Sequence, residues 1–182
     1  MGMATPIRRF RDIPQLTEAG QWECDFTPDR LVAFVDENVA SNRLQLCPDF
    51  QRGHVWTEAQ QIAFVEFFLR GGKTGRVVYL NDPHWQGRNR SGGYSDFVIV
   101  DGLQRVTAFR RWLADEFCVF GSLRSEFADS IRLTNTMKLN INTLPTRAAV
   151  LQWYLEMNAG GTPHADAEIE RVRGLLAAEG DA

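Results

Sequence analysis

The stretch Val98-Ile99-Val100-Asp101-Gly102-Leu103-Gln104-Arg105 constrains the fold more than any other part of the chain. An unbroken apolar run starting at Phe97 reads as a strand buried on both sides, and Asp-Gly ends it. Helical spacing begins immediately and runs from Leu103 to Phe117, with Val106, Phe109, Leu113 and Phe117 on one face. A buried strand therefore hands a carboxylate, Asp101, to a tight turn and then to a helix. Gly102 permits the turn and lets backbone N–H groups approach a ligand. The helix start supplies unpaired N–H donors and a positive dipole end, which together favour anions. Arg105 adds a planar fork suited to phosphate. The same residues also suit a plain Asp-Gly turn with a surface arginine.

The rest of the chain alternates short strands with helices. Thr27-Pro28 opens a helix, Thr as N-cap and Pro at the first position, with Leu31, Phe34, Val35 and Val39 inward. Leu44-Gln45-Leu46 is a short strand that Pro48 to Gly53 breaks into a loop. Thr57 with Gln60 forms a capping box, and the helix that follows buries Ile62, Val65, Phe68 and Leu69 until Gly71-Gly72 stops it. Arg76 to Leu80 is a strand. Pro83 to Ser95 is a loop, either a lid or a surface excursion. Cys118 to Phe120 and Leu139 to Asn142 are further short strands, the second at an edge or half buried. Helices run from Pro145 to about Met157 and from Asp166 to about Ala178. The first 26 residues read as an irregular arm, and residues 27–182 as a single α+β domain, a small mixed sheet with flanking helices.

Among 182 residues, 44% are hydrophobic and 24% charged, the balance of an ordinary globular chain. The formal net charge of −3 gives no global basic field for nucleic acid. Arg8, Arg9 and Arg11 form a small basic cluster that reads as a solvated arm. No segment approaches the roughly 20 apolar residues that cross a bilayer. Cys24, Cys47 and Cys118 show neither a disulfide framework nor CxxC spacing, which suits buried, reduced thiols and a cytoplasmic setting.

Several motifs are absent. Gly71-Gly72-Lys73-Thr74 resembles a phosphate loop, but Phe67 occupies the position of its first glycine, and the helix precedes instead of following. His54, His84 and His164 lack zinc spacing, and no Gly-x-Ser-x-Gly elbow is present.

Two more segments stand out. In Pro48-Asp49-Phe50-Gln51-Arg52-Gly53-His54-Val55-Trp56, aromatic anchors at Phe50 and Trp56 bracket the polar pair Gln51 and Arg52. A loop pinned at both ends can present an arginine at a defined point with little entropy lost on binding. In Asn158-Ala159-Gly160-Gly161-Thr162-Pro163-His164, paired glycines expose backbone after a helix. Each could equally be a simple connection.

Taken in order, aromatic-Gln-Arg-x-x-Val-Trp, Val-Asp-Gly-x-Gln-Arg-x-Thr and Asn-x-Gly-Gly-Thr-Pro resemble the GmrS-type domain, the N-terminal part of GmrSD-type modification-dependent restriction enzymes and related phage-defence proteins. The likeness covers about residues 40–175. It implies a ParB/sulfiredoxin-like fold and a site for nucleotide phosphates. By that resemblance Asp101, Gly102, Gln104 and Arg105 fall on the family's Asp-Gly-Gln-Gln-Arg motif, Gln51 and Arg52 on its upstream loop, and Asn158, Gly160 and Gly161 on its downstream loop. The implied activity is Mg²⁺-dependent NTP hydrolysis linked to restriction, host defence or counter-defence. Asp101 would be the metal ligand and Asp101, Gln104, Arg105 and Arg52 the catalytic set. Gln104 or Gln51 would position water.

Two departures matter. Leu103 stands where the family has its first glutamine, and His164 where an apolar residue is usual. No His-Asn-His nuclease domain follows, so the expectation is either a separate effector protein or a function of its own. Two other readings are a metal-dependent DNA nuclease, with Asp49 as a second carboxylate, and a non-enzymatic module that senses nucleotide or DNA.

Overall fold

The structure, a computed structural model, describes residues 8, 9, 13, 22–41, 43–51, 53, 55–85, 93–132, 135–158 and 166–180. The elements in chain order are β1 (Trp22–Phe26), α1 (Pro28–Ala40), β2 (Leu44–Gln45), α2 (Glu58–Leu69), β3 (Val77–Asn81), β4 (Phe97–Asp101), α3 (Leu103–Leu113), β5 (Met137–Asn142), α4 (Arg147–Asn158) and α5 (Asp166–Gly180). The strands form one five-stranded sheet in the order β1-β5-β3-β4-β2. β1 pairs antiparallel with β5, β5 parallel with β3, β3 antiparallel with β4, and β4 parallel with β2. The sheet is thus mixed and the domain α+β, as the sequence implies.

β4 lies inside the sheet and is covered on both faces, which is why it reads as a continuous apolar run. Phe97 and Ile99 join Val78, Leu80, Met137, Leu139 and Ile141 under α1, α2 and α3. Val98 and Val100 face the other way, against Val150, Leu151, Trp153 and Tyr154 of α4 and Val172 of α5.

Local signals place most helix ends. Thr57 accepts from Gln60 N at 3.3 Å while Gln60 Oε1 accepts from Thr57 N at 2.9 Å, the capping box expected. Gly71, at φ +88°, closes α2, with Gly71 N donating to Phe68 O and Gly72 N to Phe67 O. Lys73 is exposed, as a helix stop explains and a phosphate loop does not. Thr27 is the N-cap of α1 with Pro28 behind it, yet its hydroxyl makes no capping bond.

Five expectations need correction. Residues 22–26 are not the end of an irregular arm. Trp-Glu-Cys-Asp-Phe alternates with period two, and its register with β5 lets Glu23 accept from Lys138 Nζ at 2.9 Å. β5 is accordingly an inner strand and longer than read, because β1 covers its outer side. α3 stops at Leu113 because Asp115 turns left-handed at φ +59°, and Cys118 to Phe120 contributes only the isolated bridge Val119–Ser122. Finally, the cysteines are free but not buried: Cys24 is half-buried, and Cys47 and Cys118 are exposed on connecting segments. Among the described residues, no helix is long and apolar enough to cross a membrane.

Candidate functional site

β2 and β4 are parallel neighbours, so both send their C-terminal loops to the same end of the sheet. Crevices outside the carboxyl ends of parallel strands are a recurrent ligand position in open α/β sheets. Here that end gathers Asp101 from β4, Gly102 and Arg105 from the start of α3, and the loop from Pro48 to Trp56.

Gly102 is the N-cap of α3 at φ +111°, and no side chain caps the helix. The N–H groups of the first turn therefore lack the usual side-chain acceptor. Only glycine suits the position. A Cβ would sit 3.0 Å from Val78 Cγ2 and 3.1 Å from Val78 Cα, on a backbone conformation that L side chains rarely adopt.

Arg105 donates from Nη2 to Asp101 Oδ2. The pair is asymmetric: the Arg105 side chain is 17% exposed and that of Asp101 44%. Arg105 Nε is buried and has no hydrogen-bond partner. The guanidinium thus keeps an unanswered donor while its carboxylate partner faces water. This is not a sealed ion pair. A magnesium ion takes one or two carboxylates and completes its shell with water and phosphate oxygens. Asp101, partly exposed although paired with Arg105, is the carboxylate at this junction that would hold such an ion. Among the described residues, no group of three or more His, Cys, Asp or Glu side chains offers a protein-only cage.

The loop is anchored as its aromatics suggest, but to opposite faces of the sheet. Phe50 is buried in the α4/α5 core, edge-on to Tyr154 at 5.4 Å between ring centres. Trp56 packs against the α1–α3 core, 5.4 Å from Phe64. Side chains then fix the backbone between them. In the amide orientation its neighbours require, Gln51 Nε2 donates to Leu46 O at 3.3 Å and Ile99 O at 3.2 Å. Gln104 Nε2 donates to Gly53 O at 3.1 Å, and Gln104 Oε1 accepts from the N–H groups of Val55 and Trp56. Both glutamines bind the loop's surroundings. Arg52 and His54 lie outside the described residues, but the neighbours of Arg52 on either side, Gln51 and Gly53, are held.

Arg147 and Arg171, from α4 and α5, grip the same loop. Arg147 Nη2 donates to both carboxylate oxygens of Asp49, at 2.8 and 2.6 Å, and Nη1 to Glu179 at 2.6 Å. The Asp49 hydrogen bond raises the Arg147 guanidinium further above its ordinary value. Arg171 donates to the carbonyls of Asp49 and Phe50. Asp49, the candidate second carboxylate, is thereby engaged by an arginine. Nothing in the sequence separates Arg147 or Arg171 from solvated surface cations. Their role depends on which loop α4 and α5 meet.

The C-terminal end of α4 points towards this end of the sheet. Trp153 stacks edge-on against Tyr79 at 5.8 Å, and Tyr79 is the register partner of Asp101. Asn158, one turn later, donates from Nδ2 to Tyr154 O at 2.7 Å. Gly160, Gly161 and His164 lie outside the described residues. Leu103 is 5% exposed and packs into the core, so this position puts no polar group at the site.

Residues 36–146 match the family described as GmrSD restriction endonuclease, N-terminal domain. No curated protein and no solved structure matches the chain. The match spans more than half of the sequence and contains both the Pro48–Trp56 loop and the β4–α3 junction: the chain belongs to the GmrSD N-terminal domain family, and so to a group of proteins associated with restriction.

Proposed function

We propose that this domain binds a nucleotide by its phosphates at the β4–α3 junction and hydrolyses it with Mg²⁺, in the service of DNA restriction, phage defence or counter-defence. The observation that carries the reading is the uncapped helix start after Gly102 beside the half-exposed Asp101 and its partner Arg105. Backbone N–H groups after Gly102 hold phosphate oxygens, and Arg105 and Arg52 offset the charge that develops on transfer. Gln51 and Gln104 keep the Arg52 loop in place. Asn158, Gly160 and Gly161, at the end of α4 and just after it, are the further phosphate-binding candidates. Mg²⁺, held by Asp101, would supply charge neutralisation across the phosphates.

One observation favours a second reading. Leu103 occupies a position where the family carries glutamine, and it is buried. A domain lacking that amide could bind nucleotide without turning it over, and signal to an effector protein or to DNA. Calorimetric titration with each of the four common NTPs, followed by phosphate release in Mg²⁺, separates the two readings. Binding with turnover supports hydrolysis, and binding alone supports the sensor. Arg105→Ala is expected to weaken binding at least about tenfold, the size of one lost charge-assisted pair. Undiminished affinity in that variant would remove the basis of both readings.

A further inference from the structure

α5 is a poor helix by itself. Gly174 sits near its middle, exposed and without a positive φ, and a Cβ there would meet nothing within 4 Å. Neither packing nor backbone geometry requires glycine at this position, and it weakens the helix. Glu179 stands in the last turn, at the negative end of the helix dipole, and no basic residue of that turn offsets it. Among the described side chains of α5 only Val172 is fully buried, with Leu175 and Leu176 packed partly against the same core. An isolated helix of 15 residues is marginal in water. α5 therefore keeps its form by docking.

That docking reaches the Pro48–Trp56 loop at two points. Arg171 donates from Nη1 to Asp49 O and from Nη2 to Phe50 O, the second at 3.0 Å. Glu179 accepts from Arg147 Nη1, and Nη2 of the same guanidinium donates to the Asp49 carboxylate. Phe50 packs in the core that also contains Val172. The upstream half of the loop thus leans on α5. Without α5, the side-chain bonds of Gln51 to Leu46 O and Ile99 O are its remaining polar hold on the sheet. The downstream half is held differently: Gly53, Val55 and Trp56 are bound by Gln104 of α3. Arg52 lies in sequence between the two holds.

We propose that α5 is a latch on this loop. Docked, it orders the Pro48–Gln51 turn for the phosphate site; undocked, it releases that turn while the sheet and α3 stay folded. The two states differ by stated contacts: the Arg171 bonds, the shared Arg147 and the burial of Val172. Such differential contacts are what a two-state switch requires. A ligand that needs the ordered loop tightens α5, and a partner that captures α5 weakens that ligand by the same factor. The ligand half of the proposal rests on the phosphate reading; the joint opening of α5 and the turn does not.

Residue-resolved hydrogen exchange on the full chain tests it. The reporters are the inner amides of α5 and the amide of Gln51, which donates to Pro48 O. Val172→Ala should speed exchange at both by a common factor of about ten. Gly174→Ala, whose new methyl touches nothing, should slow both about fivefold. Val55, Trp56 and the β5 amides should keep their wild-type rates in both variants. The latch is overturned if α5 responds and Gln51 does not, or if Val55 and β5 change with them, which would mean that the domain opens as one unit. Gly174→Ala decides the matter should Val172→Ala fail to fold. Inorganic triphosphate with Mg²⁺, at about ten times its dissociation constant, should slow α5 and Gln51 a further tenfold or so. Triphosphate that binds without slowing α5 overturns the coupling and leaves the phosphate reading intact. Triphosphate that fails to bind refutes the phosphate reading, and the two substitutions alone then decide the latch.

Discussion

The amide of Gln104 holds two consecutive backbone donors far away in the sequence: its Oε1 accepts from Val55 N at 3.0 Å and from Trp56 N at 3.1 Å. Its Nε2 donates to Gly53 O. One side chain in the first turn of α3 therefore fixes the loop that carries Arg52 relative to the helix that carries Arg105. Replacing Gln104 with Ala is expected to destabilise the fold by about 1–2 kcal/mol, less than the sum of the separate bonds, because water can reach this loop. Hydrogen exchange gives the sharper readout. The amides of Val55 and Trp56 should exchange much faster in the variant, while those within β4 stay protected. Unchanged protection at Val55 and Trp56 would refute the clamp.

Gly102 makes a steric prediction. Gly102→Ala combines a left-handed backbone with contacts of 3.0–3.1 Å to Val78. The expected cost is about 2–4 kcal/mol, backbone strain plus overpacking. Adding Val78→Ala should recover only part of it, because Val78 Cα remains 3.1 Å from the new methyl. Urea midpoints of the two variants check this; full recovery in the double variant would show that the backbone angle carries no cost.

Arg147 and Arg171 should act on the loop from the other side. Arg171→Ala removes donors to two carbonyls, and Arg147→Met leaves Asp49 and Glu179 without their cation. Each is expected to cost about 1–2 kcal/mol, with Arg147→Met towards the lower end because Asp49 is largely exposed. The two losses should be less than additive, since both arginines secure the same segment. A double-mutant cycle by chemical denaturation measures that coupling.

Glu23 sets a small dependence of stability on acid. Its hydrogen bond from Lys138, with a second from Asn140, holds the carboxyl below its ordinary value of 4.5. The folded value is thus lower than the unfolded one, and the unfolded chain binds more protons in that range. The contribution is complete above the ordinary value and is lost as pH falls through the folded value. Glu23 and Lys138 are both nearly half exposed, so the effect is modest and salt-sensitive. Glu23→Gln should lower the melting temperature slightly at pH 6 and not at all in strong acid. A gap that widens as the pH falls would contradict the assignment.

The residues that announce this site in the sequence do so through local signals. Asp101-Gly102 ends a doubly buried strand, Thr57 and Gln60 cap a helix, and Phe50 and Trp56 bracket a polar pair. Each follows from short-range backbone geometry or from apolar periodicity, which neighbouring residues specify by themselves. What lies beyond that range depended on pairing. Trp22–Phe26 has the alternation of a strand, but a short alternating segment becomes one only when β5 accepts it. The parallel pairing of β2 with β4, which sends the loop after β2 to the same end of the sheet as Asp101, leaves no mark in either strand. Gln104 is an ordinary polar residue on a helix until the loop lies within reach of its amide, and Arg147 and Arg171 read as solvated until α4 and α5 dock. The sequence by itself determined most of the elements, their order and the strand–turn–helix junction at Asp101. Only the tertiary structure decided which polar side chains hold the backbone around that junction, because hydrogen-bond partners far apart in the chain are chosen by packing and register.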